Sequence, residues 1–121
     1  MYSDDAWYQA DYASFSLDSE DKQYAIQVSG FSGNATDSLT NRAVESYWYH
    51  DGMRFSTPNF DNDEESYVNC AKKYNAGWWF NGCWISCLTC PYGPNFKWES
   101  LKNSANGKLG AVRMMIKRQC E

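Results

Sequence analysis

The sequence predicts an α+β fold built from short strands, short helices and long loops anchored by cysteine bridges. Three observations carry that prediction. Tyr24, Ile26 and Val28 alternate with Ala25, Gln27 and Ser29, and near the end Val112, Met114 and Ile116 alternate with Arg113, Met115 and Lys117; a period of two over so few residues is the mark of a strand. Helical spacing is confined to residues 37–46 and one turn at residues 71–74. Five cysteines, with Pro91, Gly93 and Pro94 as breakers, occupy the loop-rich remainder.

In chain order, residues 7–17 alternate weakly between aromatic and polar side chains, as a strand does. The run through Val28 stops at Gly30. Gly33-Asn34-Ala35-Thr36 reads as a turn and contains an N-glycosylation sequon at Asn34, although an unmodified turn asparagine fits the residues equally well. Asp51-Gly52 marks a tight turn between Trp48-Tyr49 and residues 53–55, giving a hairpin. Residues 84–104 read as loop, and the alternation at residues 112–116 closes the chain on a strand.

At 121 residues the chain holds one domain with a modest core. Six Trp, nine Tyr and six Phe supply large rings to fill the space that sparse regular elements leave. The net charge of -4 provides no basic stripe to displace counterions, which argues against a nucleic-acid partner. The longest apolar runs are far below a bilayer span, so membrane insertion is excluded by the same reading. Five cysteines favour an oxidising compartment, yet Met1-Tyr2-Ser3-Asp4-Asp5 lacks the basic start and apolar stretch of a secretory signal.

The segment at residues 55–83 concentrates the chemistry. Asp61-Asn62-Asp63 sets two carboxylates two residues apart in a polar loop. Hard oxygen ligands at that spacing, completed by downstream main-chain carbonyls, suit calcium, while a plain solvated acidic loop satisfies the same residues. Cys87-Leu88-Thr89-Cys90 has the spacing of a redox or zinc motif. Zinc needs further ligands, and the single histidine, His50, falls in the expected hairpin. A structural bridge is preferred: Cys87 or Cys90 with Cys120, or with a segment outside this chain. No GxSxG, P-loop or HExxH is present, and the paired carboxylates sit only in the acidic loop, so the chain does not read as an enzyme.

The ordered series FST, DND, NCA and WWFNGC, preceded by WYQADYASFSL and HDGMRFST and followed by RMMIK, resembles the fibrinogen C-terminal (fibrinogen-related) domain. That family includes ficolins, tachylectins, angiopoietins and the tenascin tails. The resemblance spans nearly the whole chain. It implies a twisted, mostly antiparallel sheet with short helices and long disulfide-anchored loops. It also implies that residues 1–121 form a single domain that is incomplete at its N-terminal side, the missing part carrying the signal, an early cysteine pair and several strands.

The same resemblance implies the sites. Cys70 and Cys83 match the family's disulfide flanking the double tryptophan, Trp78-Trp79. Asp61 and Asp63 match its calcium-binding carboxylates, and counting on from Asp63 selects the carbonyls of Glu65 and Tyr67; counting back from Cys70 selects Ser66 and Val68. One extra residue separates the triplet from Cys70, and the first count is preferred. The acetyl-binding pocket of family lectins maps onto Tyr74, Cys83, Trp84 and Tyr92. Trp84 stands where most members have a histidine, joined to the preceding cysteine by a cis peptide, and a third pocket tyrosine is missing. The expected function is calcium-dependent, lectin-like recognition of acetylated or otherwise decorated glycans, as in innate immunity, by a secreted extracellular protein. The alternative is a module that engages a cell-surface receptor or matrix protein. Oligomers are expected through the missing N-terminal region.

Overall fold

The computed structural model describes residues 1–42 and 47–118. Six short strands are formed among these residues: β1 (Tyr2–Ser3), β2 (Ala6–Trp7), β3 (Asp11–Leu17), β4 (Ile26–Ser32), β5 (Ser86–Cys87) and β6 (Lys97–Trp98). They pair in chain-adjacent, antiparallel couples, β1-β2, β3-β4 and β5-β6. One 3-10 turn (Glu20–Lys22) and one α-helix, α1 (Cys70–Tyr74), complete the regular structure described. The α+β class therefore holds, with its antiparallel strands split into three ribbons.

The first expected strand divides in two. Asp4 and Asp5 both adopt positive φ, 55° and 58°. Two left-handed residues make the tight turn whose twist matches paired strands, so residues 2–7 close as their own hairpin, with the Tyr2 and Trp7 rings 5.4 Å apart. The long ribbon begins at Asp11. Its register sets Phe15 against Val28 and Leu17 against Ile26, while Ala13 has no partner of its own opposite Gly30. Gly30 has φ +76°, and a Cβ there would lie 2.7 Å from the Ala13 Cβ; only glycine permits that close crossing. Ile26 and Val28 are buried, as their alternation predicts.

The outer edge of β4 is bonded by the turn at Asp51-Gly52. Ile26 N–H donates to the Met53 carbonyl (3.0 Å), Gly52 N–H to the Ile26 carbonyl (2.7 Å) and Val28 N–H to the Asp51 carboxylate (2.9 Å). The tight turn is present, closed by Met53 N–H on the His50 carbonyl at 3.0 Å. Its flanks do not pair with each other as a hairpin: the Met53 carbonyl accepts from Ile26 of β4, while the Tyr49 carbonyl on the other flank accepts from the Asn81 side chain. The helix expected at residues 37–46 is absent over residues 37–42. Asp37 accepts from the amides of Leu39 and Thr40 and from the Tyr12 hydroxyl, fixing a bend; an aspartate bonded to its own following amides competes with helix in this way. Residues 43–46 lie outside the described residues.

The core gathers Trp78, Phe80, Trp98, Ile26, Val28, Leu101 and Leu109 around Cys70 and Cys87. Residues 84–104 are loop apart from the two-residue strands β5 and β6. The closing strand expected at residues 112–116 does not form. Ala111 bridges Tyr2, but residues 113–118 are exposed and pair with no strand, because alternation creates a strand only where a neighbour offers an edge.

Candidate functional site

The site is assembled on the bridge between Ser56 and Trp78, whose amides and carbonyls bond reciprocally at 3.0 and 3.2 Å. This holds the start of the acidic loop against the tryptophan pair. Asn62 then turns inward: its amide donates to the Ser56 hydroxyl (3.0 Å) and its side-chain amide to the Phe55 carbonyl (2.9 Å). The central residue of the DND triplet is thus an anchor, flanked by an exposed Asp61 and a half-buried Asp63.

Asp63 is the hub. One oxygen accepts from the Glu65 amide and the other from the Cys70 amide, both at 2.9 Å. Asp61 accepts from the Asp63 amide at 3.3 Å and its carboxyl lies within reach of the Asp63 carboxyl. Burial pushes the Asp63 carboxyl up to about 6, with the facing Asp61 adding to the rise against the pull of the Cys70 and Glu65 amides. Two negative groups held this close favour a cation between them. Among the described residues, the carbonyls of Glu65, Ser66, Tyr67 and Val68 accept no hydrogen bond. No cluster of three or more His, Cys, Asp or Glu side chains able to hold a metal forms there. Two carboxylates with several uncommitted main-chain oxygens nonetheless fit a hard divalent ion such as calcium, which draws on carbonyl and water ligands. Both carbonyl counts, Glu65 with Tyr67 and Ser66 with Val68, remain compatible with this loop.

Cys70 begins α1 and is bridged to Cys83, with Cα atoms 5.5 Å apart. Asn69 caps the helix, its side-chain oxygen accepting from the Lys72 amide at 3.1 Å, which satisfies one of the free amides of the first turn. Asn75 ends it in the left-handed region. The helix thereby presents Lys73 and Tyr74 toward Trp84. The Tyr74 and Trp84 rings stand edge to face, 5.6 Å apart at 81°.

A cavity of about 350 Å³ opens here, lined by Trp48, Glu65, Lys73, Tyr74, Cys83 and Trp84 together with Val68, Gly82 and Glu99. A second, of about 270 Å³, shares Trp48 and Glu99 and continues toward Thr36, Asn41 and Lys102. Tyr74, Cys83 and Trp84 are thus brought together as expected. Tyr92 is not among the cavity residues: it is 82% exposed and lies by Phe96. Tyr92 lies on the connection between the paired strands β5 and β6, neither of which lines the cavity. The cis peptide lies at Gly82–Cys83, one residue earlier than expected.

Other cysteines also differ from expectation. Cys87 pairs with Cys90, both buried. Their Cα atoms are 5.4 Å apart, and Thr89 between them donates to the Gly77 carbonyl at 2.5 Å, tying the loop to the segment before the tryptophan pair. Cys120 lies outside the described residues.

The sequence reading missed His50. Its ring is fully buried, and its Nδ1 donates to the Trp79 carbonyl at 2.8 Å. Its Nε2 accepts from the amides of Ile85 and Ser86 at 3.3 and 3.2 Å. Burial drives its pKa down to about 4. The neutral ring ties the acidic-loop approach, the tryptophan pair and the residues after Trp84 into one unit. Trp48, Lys73 and Glu99 were missed as well, each reaching the cavity from a separate segment.

Comparison with known proteins accounts for this arrangement. The family model for the fibrinogen beta and gamma chains, C-terminal globular domain, matches residues 2–112. The Homo sapiens fibrinogen alpha chain is 36% identical over 122 residues, covering 85% of this chain and 14% of that one. A techylectin-like protein of Phoneutria nigriventer is 31% identical over 110 residues, 88% of this chain and 45% of that one. The lamprey fibrin D-dimer, solved with the peptide Gly-His-Arg-Pro-amide, superposes with a TM-score of 0.61 at 32% identity, over 73% of this chain and 30% of that one. The chain therefore spans less than half the length of each of these proteins. The matched domain is a recognition module rather than an enzyme. Its ordered motifs, its fold and the matched residues together place this chain in the family of fibrinogen C-terminal globular domains.

Proposed function

We propose that this chain is a secreted, extracellular, lectin-like module that recognises acetylated or otherwise decorated glycans with calcium bound at Asp61 and Asp63, a role suited to innate immunity. One observation carries the reading. Glu65 belongs both to the acidic loop, through its amide on Asp63, and to the cavity wall beside Tyr74, Cys83 and Trp84. Ordering the loop therefore orders the pocket. Calcium, when bound, would neutralise the facing carboxylates and hold the loop in one conformation, with the carbonyls of Glu65 and Tyr67 as further ligands. The aromatic faces of Trp48, Tyr74 and Trp84 suit a methyl group or the apolar face of a sugar, and Lys73 and Glu99 offer hydrogen bonds to its polar groups. The similarity to a techylectin-like protein supports this reading.

Addition of millimolar calcium is expected to raise the melting temperature. At a hundredfold excess over the dissociation constant, binding to the folded state alone stabilises it by about 2.7 kcal/mol. Asp61→Ala, which leaves the Asp63 bonds to Glu65 and Cys70 intact, should abolish the shift; an unchanged shift in that variant would exclude the assigned ligands. Competition by N-acetylated sugars, measured with calcium and with chelator, then tests the glycan assignment.

A second reading, a module that binds a receptor or matrix protein, is favoured by the charged lining of Lys73, Glu65 and Glu99 and by the peptide held by the lamprey relative. Binding of peptides with no response to acetylated sugars would select it. Asn34 is exposed, and its side-chain oxygen accepts from the Gln9 amide at 2.8 Å. Material secreted from eukaryotic cells is expected to lose mass on N-glycosidase digestion, and Asn34→Gln should remove the difference.

A further inference from the structure

The second cavity differs in chemistry from the first. It shares Trp48 and Glu99 with the cavity at Tyr74 and Trp84, and adds Thr36, Ser100 and Lys102. Its wall holds one aromatic ring, that of Trp48, and one aliphatic side chain, Ile85; the rest is hydroxyl, amide and charge.

Three hydroxyls are chained along one side. The Ser100 Oγ lies 2.6 Å from the Thr36 Oγ1 and 2.5 Å from the Ser38 Oγ. Ser38 is fully buried and also accepts from the Ser100 amide at 3.1 Å, which fixes Ser100 against the core. The Thr36 hydroxyl is placed to donate to the Ala35 carbonyl as well. When it does, Ser38 donates to Ser100, and the Ser100 hydroxyl keeps a hydrogen for the cavity. Thr36 itself sits at φ 65°, an outlier for a β-branched residue. The Trp98 indole donates to the Thr36 carbonyl at 3.0 Å and holds that backbone in place. Strain that the surroundings maintain at a cavity wall points to a use for the side chain.

The charges sort in the same way. Glu99 is paired with Lys97 at 2.7 Å, so its charge is offset within the protein. Lys102 is exposed and forms no ion pair among the described residues. An ammonium and a hydroxyl donor therefore face the same space, next to the ring that borders the first cavity. That set suits a carboxylate carried on a sugar.

We infer that the two cavities are adjoining subsites for an acidic oligosaccharide, the first taking the acylated sugar and the second a neighbouring sugar that bears a carboxylate. The inference rests on the lectin-like reading above and adds the class of glycan. Trp48 offers its ring at the junction, and Glu99 accepts hydrogen bonds from hydroxyls of either unit. Lys102 and Ser100 hold the carboxylate. At about 270 Å³ the second cavity falls short of the usual ligand site, roughly 300–1,000 Å³, and serves as an extension of the first.

Isothermal titration of the full chain in millimolar calcium tests this with N-acetylglucosamine, its neutral β-linked dimer, and a disaccharide of N-acetylglucosamine and glucuronic acid. The acidic disaccharide is expected to bind about tenfold or more tightly than either neutral sugar, the effect of one charge-assisted hydrogen bond. Lys102→Gln should remove that advantage while leaving the affinity for N-acetylglucosamine and the circular dichroism spectrum unchanged. Trp48→Ala should weaken all three sugars. Equal affinity for the acidic and neutral disaccharides would overturn the acidic subsite and leave the lectin-like reading standing. So would an advantage that survives Lys102→Gln. Failure of all three sugars to bind would overturn that reading and this inference together.

Discussion

Replacing His50 with leucine is expected to lower the stability of the domain by about 3–5 kcal/mol, measured by urea denaturation at pH 7.5. The ring nitrogens serve three buried partners, the Trp79 carbonyl and the amides of Ile85 and Ser86. Leucine fills the volume but satisfies none, and each orphaned buried group costs roughly 1–3 kcal/mol. A second measurement separates packing from protonation. In the folded protein His50 is neutral because burial holds its pKa near 4, against 6.5 for an exposed imidazole. Below pH 6.5 the unfolded chain binds a proton that the folded chain refuses. Stability from this group is complete above pH 6.5 and is lost as the pH falls toward about 4, a total of roughly 3 kcal/mol. The leucine variant should lack this component of the pH dependence. A parent protein whose stability between pH 7 and 4.5 matches the slope of the variant would contradict the buried neutral imidazole.

Removal of the Cys70–Cys83 bridge, by substituting both with alanine, should have a comparable effect. Closing a loop with a sequence separation of 13 contributes about 3 kcal/mol in the chain-entropy model. For a domain of this size that corresponds to a fall in melting temperature of roughly 10–20 °C. The consequence extends beyond stability, because the Cys70 amide donates a hydrogen bond to the Asp63 carboxylate. Freed from Cys83, α1 loses its fixed relation to the acidic loop. The double variant should therefore bind calcium at least about tenfold more weakly at a temperature where it is still folded, as read by isothermal titration. Equal calcium affinity with and without the bridge would separate the two features that the geometry joins.

The parts of this molecule that short-range pattern could reveal are those that depend on short-range chemistry. Ile26 and Val28 are buried on one face of β4 as their alternation requires. Asn69 before Ala71–Tyr74 is a helix start written in four residues, and Asp51-Gly52 makes the turn its composition demands. The grouping of Tyr74, Cys83 and Trp84 followed from family resemblance, since these residues are up to ten positions apart and no local rule joins them. What escaped was non-local. Residues 112–116 alternate like a strand yet pair with none, because a ladder needs a neighbour that the sequence does not announce. Cys87 pairs with Cys90, three positions on, rather than with a distant cysteine, and spacing alone does not decide between them. Nothing beside His50 in the sequence signals burial; that depends on Trp78, whose ring meets it edge-on at 5.6 Å, arriving from 28 positions away. Lys73 and Glu99 reach the cavity from α1 and from the residue after β6, a meeting visible only in three dimensions.

The three bonds of His50 have one more implication. They pin the backbone just beyond Trp84 to the centre of the protein, whereas Lys73 and Glu65 reach the same cavity on longer side chains. Whatever enters the cavity therefore meets both an anvil and fingers. Shape is dictated by the first, and adjustment among related molecules falls to the second.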